Sequence, residues 1–148
     1  MFKIFTVMIF VSSLWAYQPG DVVSPEVGQK LGLQSDKTYV IDFFASWCIS
    51  CKHELPLIEK LSRTLRMKNI EVVGVDVDEN LNQAKAFQQE LGLTFSVVND
   101  PKGEVIKHFD PVGMPAVYIV KNAKVTHMIL GAKDHIDRLI LAALKEEK

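Results

Sequence analysis

Hydrophobic and polar positions change period several times along the chain, and each change marks an element. Thr38–Ala45 (TYVIDFFA) is a dense β-branched and aromatic run interrupted by one acid, Asp42. It is too short and too apolar for a surface helix, and it predicts a central strand covered on both faces. From Cys48 to Met67 the spacing switches to three and four. Leu55, Ile58, Leu61 and Leu65 then share one face of a helix. Pro56 falls inside that helix and is expected to kink it.

Ile70–Val77 (IEVVGVDV) reads as a second strand, and Asp78 or Asn80 can cap a helix that runs to Leu91 and stops at Gly92. Phe95–Val98 is a short strand, followed by a turn over Asn99–Gly103 and a short helix around Val105–Phe109. Ala116–Val120 and Lys124–Leu130 are two strands joined by Lys121, Asn122 and Ala123, a hairpin-length connection. A last helix covers Asp134–Leu144. Ahead of all these, Tyr17–Val23 is an extended lead-in. Ser24 and Pro25 then open a short helix that Gly32 ends. Alternating strands and helices followed by a hairpin imply an α/β domain with a mixed central β-sheet and helices on both faces.

The 148 residues suffice for one core. Hydrophobic and charged fractions of 48% and 24% are ordinary for a globular domain, and a formal net charge of −1 leaves no basic stripe for nucleic acid.

The N-terminus changes that picture. Lys3 is followed by a charge-free apolar stretch from Ile4 to Ala16, too short to span a bilayer, which takes roughly 20 residues. It suits a secretory signal peptide cleaved after Ala16, although Leu14 stands where a small residue is usual. The domains are then a signal peptide at 1–16, or an uncleaved anchor, and a folded unit at 17–148.

Export bears on the two cysteines, Cys48 and Cys51. A structural disulfide framework uses more pairs, closing longer loops. A single pair three positions apart suits reversible chemistry. Cys48 falls at the helix N-terminus, where unpaired N–H groups and the helix dipole favour a thiolate. Cys51 lies one turn on and can attack a mixed disulfide formed by Cys48. A zinc site needs further ligands, and covalent haem needs His where Lys52 stands.

Asp42 through Lys52 (DFFASWCISCK) resembles the active-site region of thioredoxins. The continuation His53–Glu54–Leu55–Pro56 resembles the exported TlpA/ResA/CcmG branch. The likeness extends through Gly113–Met114–Pro115 and covers most of Thr38–Leu144. It implies a thioredoxin fold, with Pro115 a cis-proline facing the dithiol and Met114 beside Cys48 offering its backbone to a partner segment. The alternative is a trans proline starting an edge strand.

By the same resemblance Asp42 and Glu54 handle the proton of the buried cysteine, and Trp47 shields the dithiol and offers a docking surface. The plain alternatives are a solvated Asp42, an exposed first-turn Glu54 and a Trp47 packed at the core edge. Asp42 departs from the branch, which more often has a neutral residue there. Ile49–Ser50 also departs, lacking a proline before the second cysteine.

The implied activity is periplasmic thiol–disulfide exchange by a monomer with no metal and no cofactor beyond the Cys48–Cys51 disulfide. The absence of a cation between the cysteines favours a reductant. Implied partners are exported disulfide-containing proteins, such as apocytochrome c or its maturation partners, and a membrane thiol reductase as electron donor. A disulfide-inserting oxidant and a Cu(I) carrier of the same fold are the alternatives.

Overall fold

The computed structural model describes residues 16–146. Nearly all of the expected signal segment lies outside them. Among the described residues no helix is long and apolar enough to cross a membrane.

Five strands form one sheet: β1 (Thr38–Phe44), β2 (Ile70–Asp76), β3 (Ser96–Asn99), β4 (Ala116–Lys121) and β5 (Lys124–Leu130). Their order is β3-β2-β1-β4-β5, so the apolar run at Thr38 is the central strand. It pairs in parallel with β2 and antiparallel with β4; β3 extends the parallel side and β5 the antiparallel side. The expected mixed sheet is therefore present, and its hand-over from parallel to antiparallel occurs at β1.

Side-chain alternation along β1 divides the interior in two. Val40 and Phe44 point into one core with Leu55, Ile58 and Leu65 of α2 (Ile49–Arg66) and Ile140 of α5 (Ile136–Glu146). Phe87 of α3 (Leu81–Glu90) joins the same core. Tyr39, Ile41 and Phe43 point into the other, against Val27 of α1 (Pro25–Leu31) and Phe109 of α4 (Ile106–Phe109). Helices thus cover both faces.

Local chemistry explains the element ends. Ser24 caps α1 by accepting from Val27 N–H, and Gly32 closes it at φ 68°, in the left-handed region where glycine carries no Cβ penalty. Asn80, not Asp78, caps α3, accepting from the N–H groups of Asn82 and Gln83. Asn122 and Ala123 both have positive φ, which matches a two-residue turn whose twist suits the hairpin. β4 consequently reaches Lys121. α2 is continuous through Pro56, which is exposed. The carbonyl of Lys52, exposed and four residues earlier, loses its helical partner on the solvent side, where water can replace it. The lead-in is tied to β5 through Gly20 N–H to Val125 O (2.7 Å) and to the hairpin turn through Val23 N–H to Ala123 O (2.8 Å).

Candidate active site

β1 ends at Phe44, and Ala45–Trp47 turn the chain into α2, so that Cys48 becomes the helix N-cap. Its backbone is extended (φ −88°, ψ 101°), while its carbonyl already accepts the first helical bond from Lys52 N–H at 3.2 Å. The Cys48 Sγ accepts from Cys51 N–H at 3.2 Å, in the place a serine or aspartate oxygen takes in ordinary caps. Cys48 and Cys51 are joined as a disulfide, with Cα atoms 5.2 Å apart. Cys48 is 7% exposed and Cys51 1%, so an approaching partner meets Cys48 first.

Around the pair, Trp47 is 67% and Ile49 76% exposed, which excludes core-edge packing for Trp47. The Met114–Pro115 peptide is cis. Met114 is half-buried and packs against both cores, one of which contains Cys48 and Cys51. Val112, on the same loop, is almost fully exposed.

Asp42 lies between Val40 and Phe44 on the β1 face that packs under α2, the face of Cys51 and Leu55. It is buried, and its Oδ1 has no hydrogen-bond partner. Burial, and behind it the negative charge of Glu54, pushes its carboxyl well above the usual range. Glu54, one turn beyond Cys51, is also buried. Its Oε1 accepts from Lys133 N–H at 2.5 Å, while Oε2 has no partner. Burial raises its carboxyl too, opposed by the Lys133 N–H and the Lys133 charge. The solvated alternatives for Asp42 and Glu54 are therefore excluded. Two buried acids that favour their neutral forms are thus neighbours, Asp42 on β1 and Glu54 one turn beyond Cys51 on α2, and a carboxyl can give or take a proton. Glu54 also lines a pocket of about 370 Å³ with Ser50, His53, Leu57, Lys133 and Asp134. Among the described residues no group of three or more His, Cys, Asp or Glu side chains is placed to hold a metal ion.

Sequence reading missed one member of the site. Asp78, considered only as a helix cap, reaches across to the turn before Cys48 and accepts two hydrogen bonds from Ser46. Nothing local in the sequence signals this, because the two residues lie 32 positions apart.

The raised Asp42 carboxyl carries a stability prediction. Its folded-state pKa exceeds the unfolded value, so the folded chain holds a proton that the unfolded chain releases first. Its stabilisation is full below about pH 4 and is lost as pH rises through the folded-state value. Glu54 slopes the same way. Urea midpoints should therefore fall as pH rises above about 4, the ordinary carboxyl value, and Asp42→Asn should make the fall shallower. Identical pH slopes in the two proteins would show that Asp42 ionises without penalty.

Comparison with known proteins agrees with this geometry. The chain is 30% identical over 116 residues to the thiol-disulfide oxidoreductase ResA of Bacillus thuringiensis subsp. konkukian, spanning 76% of this chain and 67% of that one. It is 34% identical over 121 residues to ResA of Oceanobacillus iheyensis, spanning 79% of this chain and 62% of that one. A crystal structure from Chlorobium tepidum, assigned as the thiol:disulfide interchange protein DsbE, superposes with a TM-score of 0.75 at 22% identity. It covers 88% of this chain and 98% of its own, a likeness of fold. Residues 28–128 match the AhpC/TSA family. The chain belongs to the AhpC/TSA family, and within it to the thiol–disulfide oxidoreductases of thioredoxin fold.

Proposed function

We propose that the protein is a periplasmic reductant of disulfides in other exported proteins, delivered by a signal peptide at 1–16 and working as a monomeric domain at 17–148. The observation that carries the reading is the cap geometry: Cys48 Sγ at the N-terminus of α2, at the edge of the surface, bonded to a Cys51 that is buried behind it.

In the reduced protein the Cys48 thiolate attacks one sulfur of a client disulfide, and the other client sulfur leaves as a thiolate. Cys51, deprotonated with the help of Asp42 or Glu54, then attacks Cys48 Sγ. The second client thiolate leaves and the Cys48–Cys51 disulfide forms. Two electrons have passed to the client, and a membrane thiol reductase returns them. Trp47, Met114 and Pro115 form the docking rim, with the Met114 backbone pairing with an extended client segment. The redox-active disulfide is the whole of the electron-carrying apparatus. Apocytochrome c and its maturation partners are the clients that the resemblance favours.

Electrostatics support the direction. Strong oxidants owe their potential to a stabilised thiolate in the reduced form. Here Ile49 and Ser50 place no cation between the sulfurs, and the two buried groups nearby are acids. Burial of Cys51 at 1% exposure disfavours its thiolate and so favours giving electrons away. Equilibration with glutathione tests this. The expected potential lies near the thioredoxin value of about −270 mV. A value near about −120 mV, where DsbA lies, would make the protein an oxidant instead.

A further inference from the structure

The turn that delivers Cys48 to α2 is gripped from just beyond the end of β2. Ser46 donates its backbone N–H to Asp78 Oδ2 at 2.8 Å and its hydroxyl to Asp78 Oδ1 at 2.9 Å. Both oxygens of one carboxylate thus hold one residue, two positions before Cys48. Asp78 is only 2% exposed. A carboxylate that deep in the fold stands only when its hydrogen bonds are made, and these two go to the turn.

Asp78 is itself fixed. Its N–H donates to Asp76 Oδ1 at 3.0 Å, and the preceding Val77 N–H donates to Phe44 O at 3.0 Å. Asp76, wholly buried, accepts from Gln88 Nε2 of α3 at 2.9 Å through its other oxygen. A connected path therefore runs from α3 through two acids to the turn. Asn80 already caps α3, which leaves the Asp78 side chain no helix-capping task.

We infer that Asp78 and Ser46 are positioning residues for thiol–disulfide exchange: the carboxylate clamps the Ser46–Trp47 turn and so keeps Cys48 Sγ at the mouth of α2. The inference rests on Cys48 being the attacking sulfur. Without the clamp the turn gains freedom, Sγ spends less time against the helix N–H groups, and the thiolate is less populated. The Asp78 charge on its own acts oppositely, since a nearby anion disfavours thiolate. Geometry and charge thus predict changes of opposite sign.

The experiment uses the full chain in a Cys51→Ser background, where Cys48 is the one remaining thiol. Iodoacetamide alkylation is followed across pH; the thiolate forms a thioether and iodide leaves. Ser46→Ala should slow alkylation near neutral pH about fivefold, the factor associated with one hydrogen bond, and move the midpoint of the pH profile upward. Ser46→Thr, which keeps the hydroxyl, should restore both. Asp78→Asn should slow alkylation as well. An unchanged rate and midpoint in Ser46→Ala overturns the inference, as does faster alkylation in Asp78→Asn. Should Asp78→Asn fail to fold, the Ser46 pair decides alone. If Cys48 in the unsubstituted background reacts no faster than an ordinary exposed thiol, the assignment of Cys48 as nucleophile falls, and the clamp falls with it.

Discussion

Cys48→Ser is expected to bring reduction of insulin disulfides by dithiothreitol to the uncatalysed rate, and Cys51→Ser to accumulate a covalent complex instead. The two outcomes differ because the sulfurs sit differently. Cys48 caps α2 with its Sγ toward the surface edge, and Cys51 is sealed at 1% exposure behind it. A serine at 48 leaves no accessible nucleophile, since an alcohol is not ionised where a thiol is. A serine at 51 leaves the first attack intact and removes the second. The client then remains attached through Cys48 until an external thiol releases it. Non-reducing electrophoresis with a disulfide-containing client reads both results. Mixed disulfides formed by Cys48→Ser but not by Cys51→Ser would reverse the two roles.

Gly74→Ala should destabilise the domain by about 1–3 kcal/mol, the usual penalty for overfilling a packed core, and Gly74→Val by more. Gly74 lies on β2, paired with Asp42 on β1 and Val97 on β3. A Cβ there would stand 2.7 Å from Phe44 Cε1, 2.9 Å from Phe95 Cε2 and 3.3 Å from Val97 Cγ2. Phe44 and Phe95 are both buried, so neither ring can swing into solvent. Phe44 also ends the strand that leads to the Cys48 turn, and displacing it disturbs the site along with the core. Gly28 of α1 is the control. No atom lies within 4 Å of a Cβ added there, and alanine in a helix interior is favoured over glycine by roughly 0.5–1 kcal/mol. Thermal melts should show Gly74→Ala several degrees below the parent and Gly28→Ala at or slightly above it. A Gly74→Ala protein that melts with the parent would mean the two rings can repack freely.

Much of the architecture was legible because backbone period and capping chemistry are local. The apolar density of Thr38–Ala45 marked a doubly covered strand, and the spacing of Leu55, Ile58, Leu61 and Leu65 marked the helix face that covers it. The dithiol was legible for the same reason: a strand running into a helix places a cysteine at the cap, whatever the rest of the fold does. The start of α3 was less so, since Asn80 and Asp78 are chemically equivalent caps on paper. Which of them turned inward depended on what lay opposite.

The sequence by itself determined the order and type of the elements and the presence of a cysteine pair at the N-terminus of a helix, because each follows from interactions within a few residues. Only the tertiary structure decided which acids are buried and what they meet. Parallel pairing of β1 with β2 sets Phe44 beside Asp76 and brings the two strand ends together, so Asp78 meets Ser46. Packing of α2 over the same face of β1 buries Asp42 and Glu54 as neighbours and lifts both carboxyls. Periodicity tells which face of an element is buried. What that face meets depends on contacts between segments far apart in the chain, and the hydrogen bonds and burial around the Cys48–Cys51 turn come from those contacts.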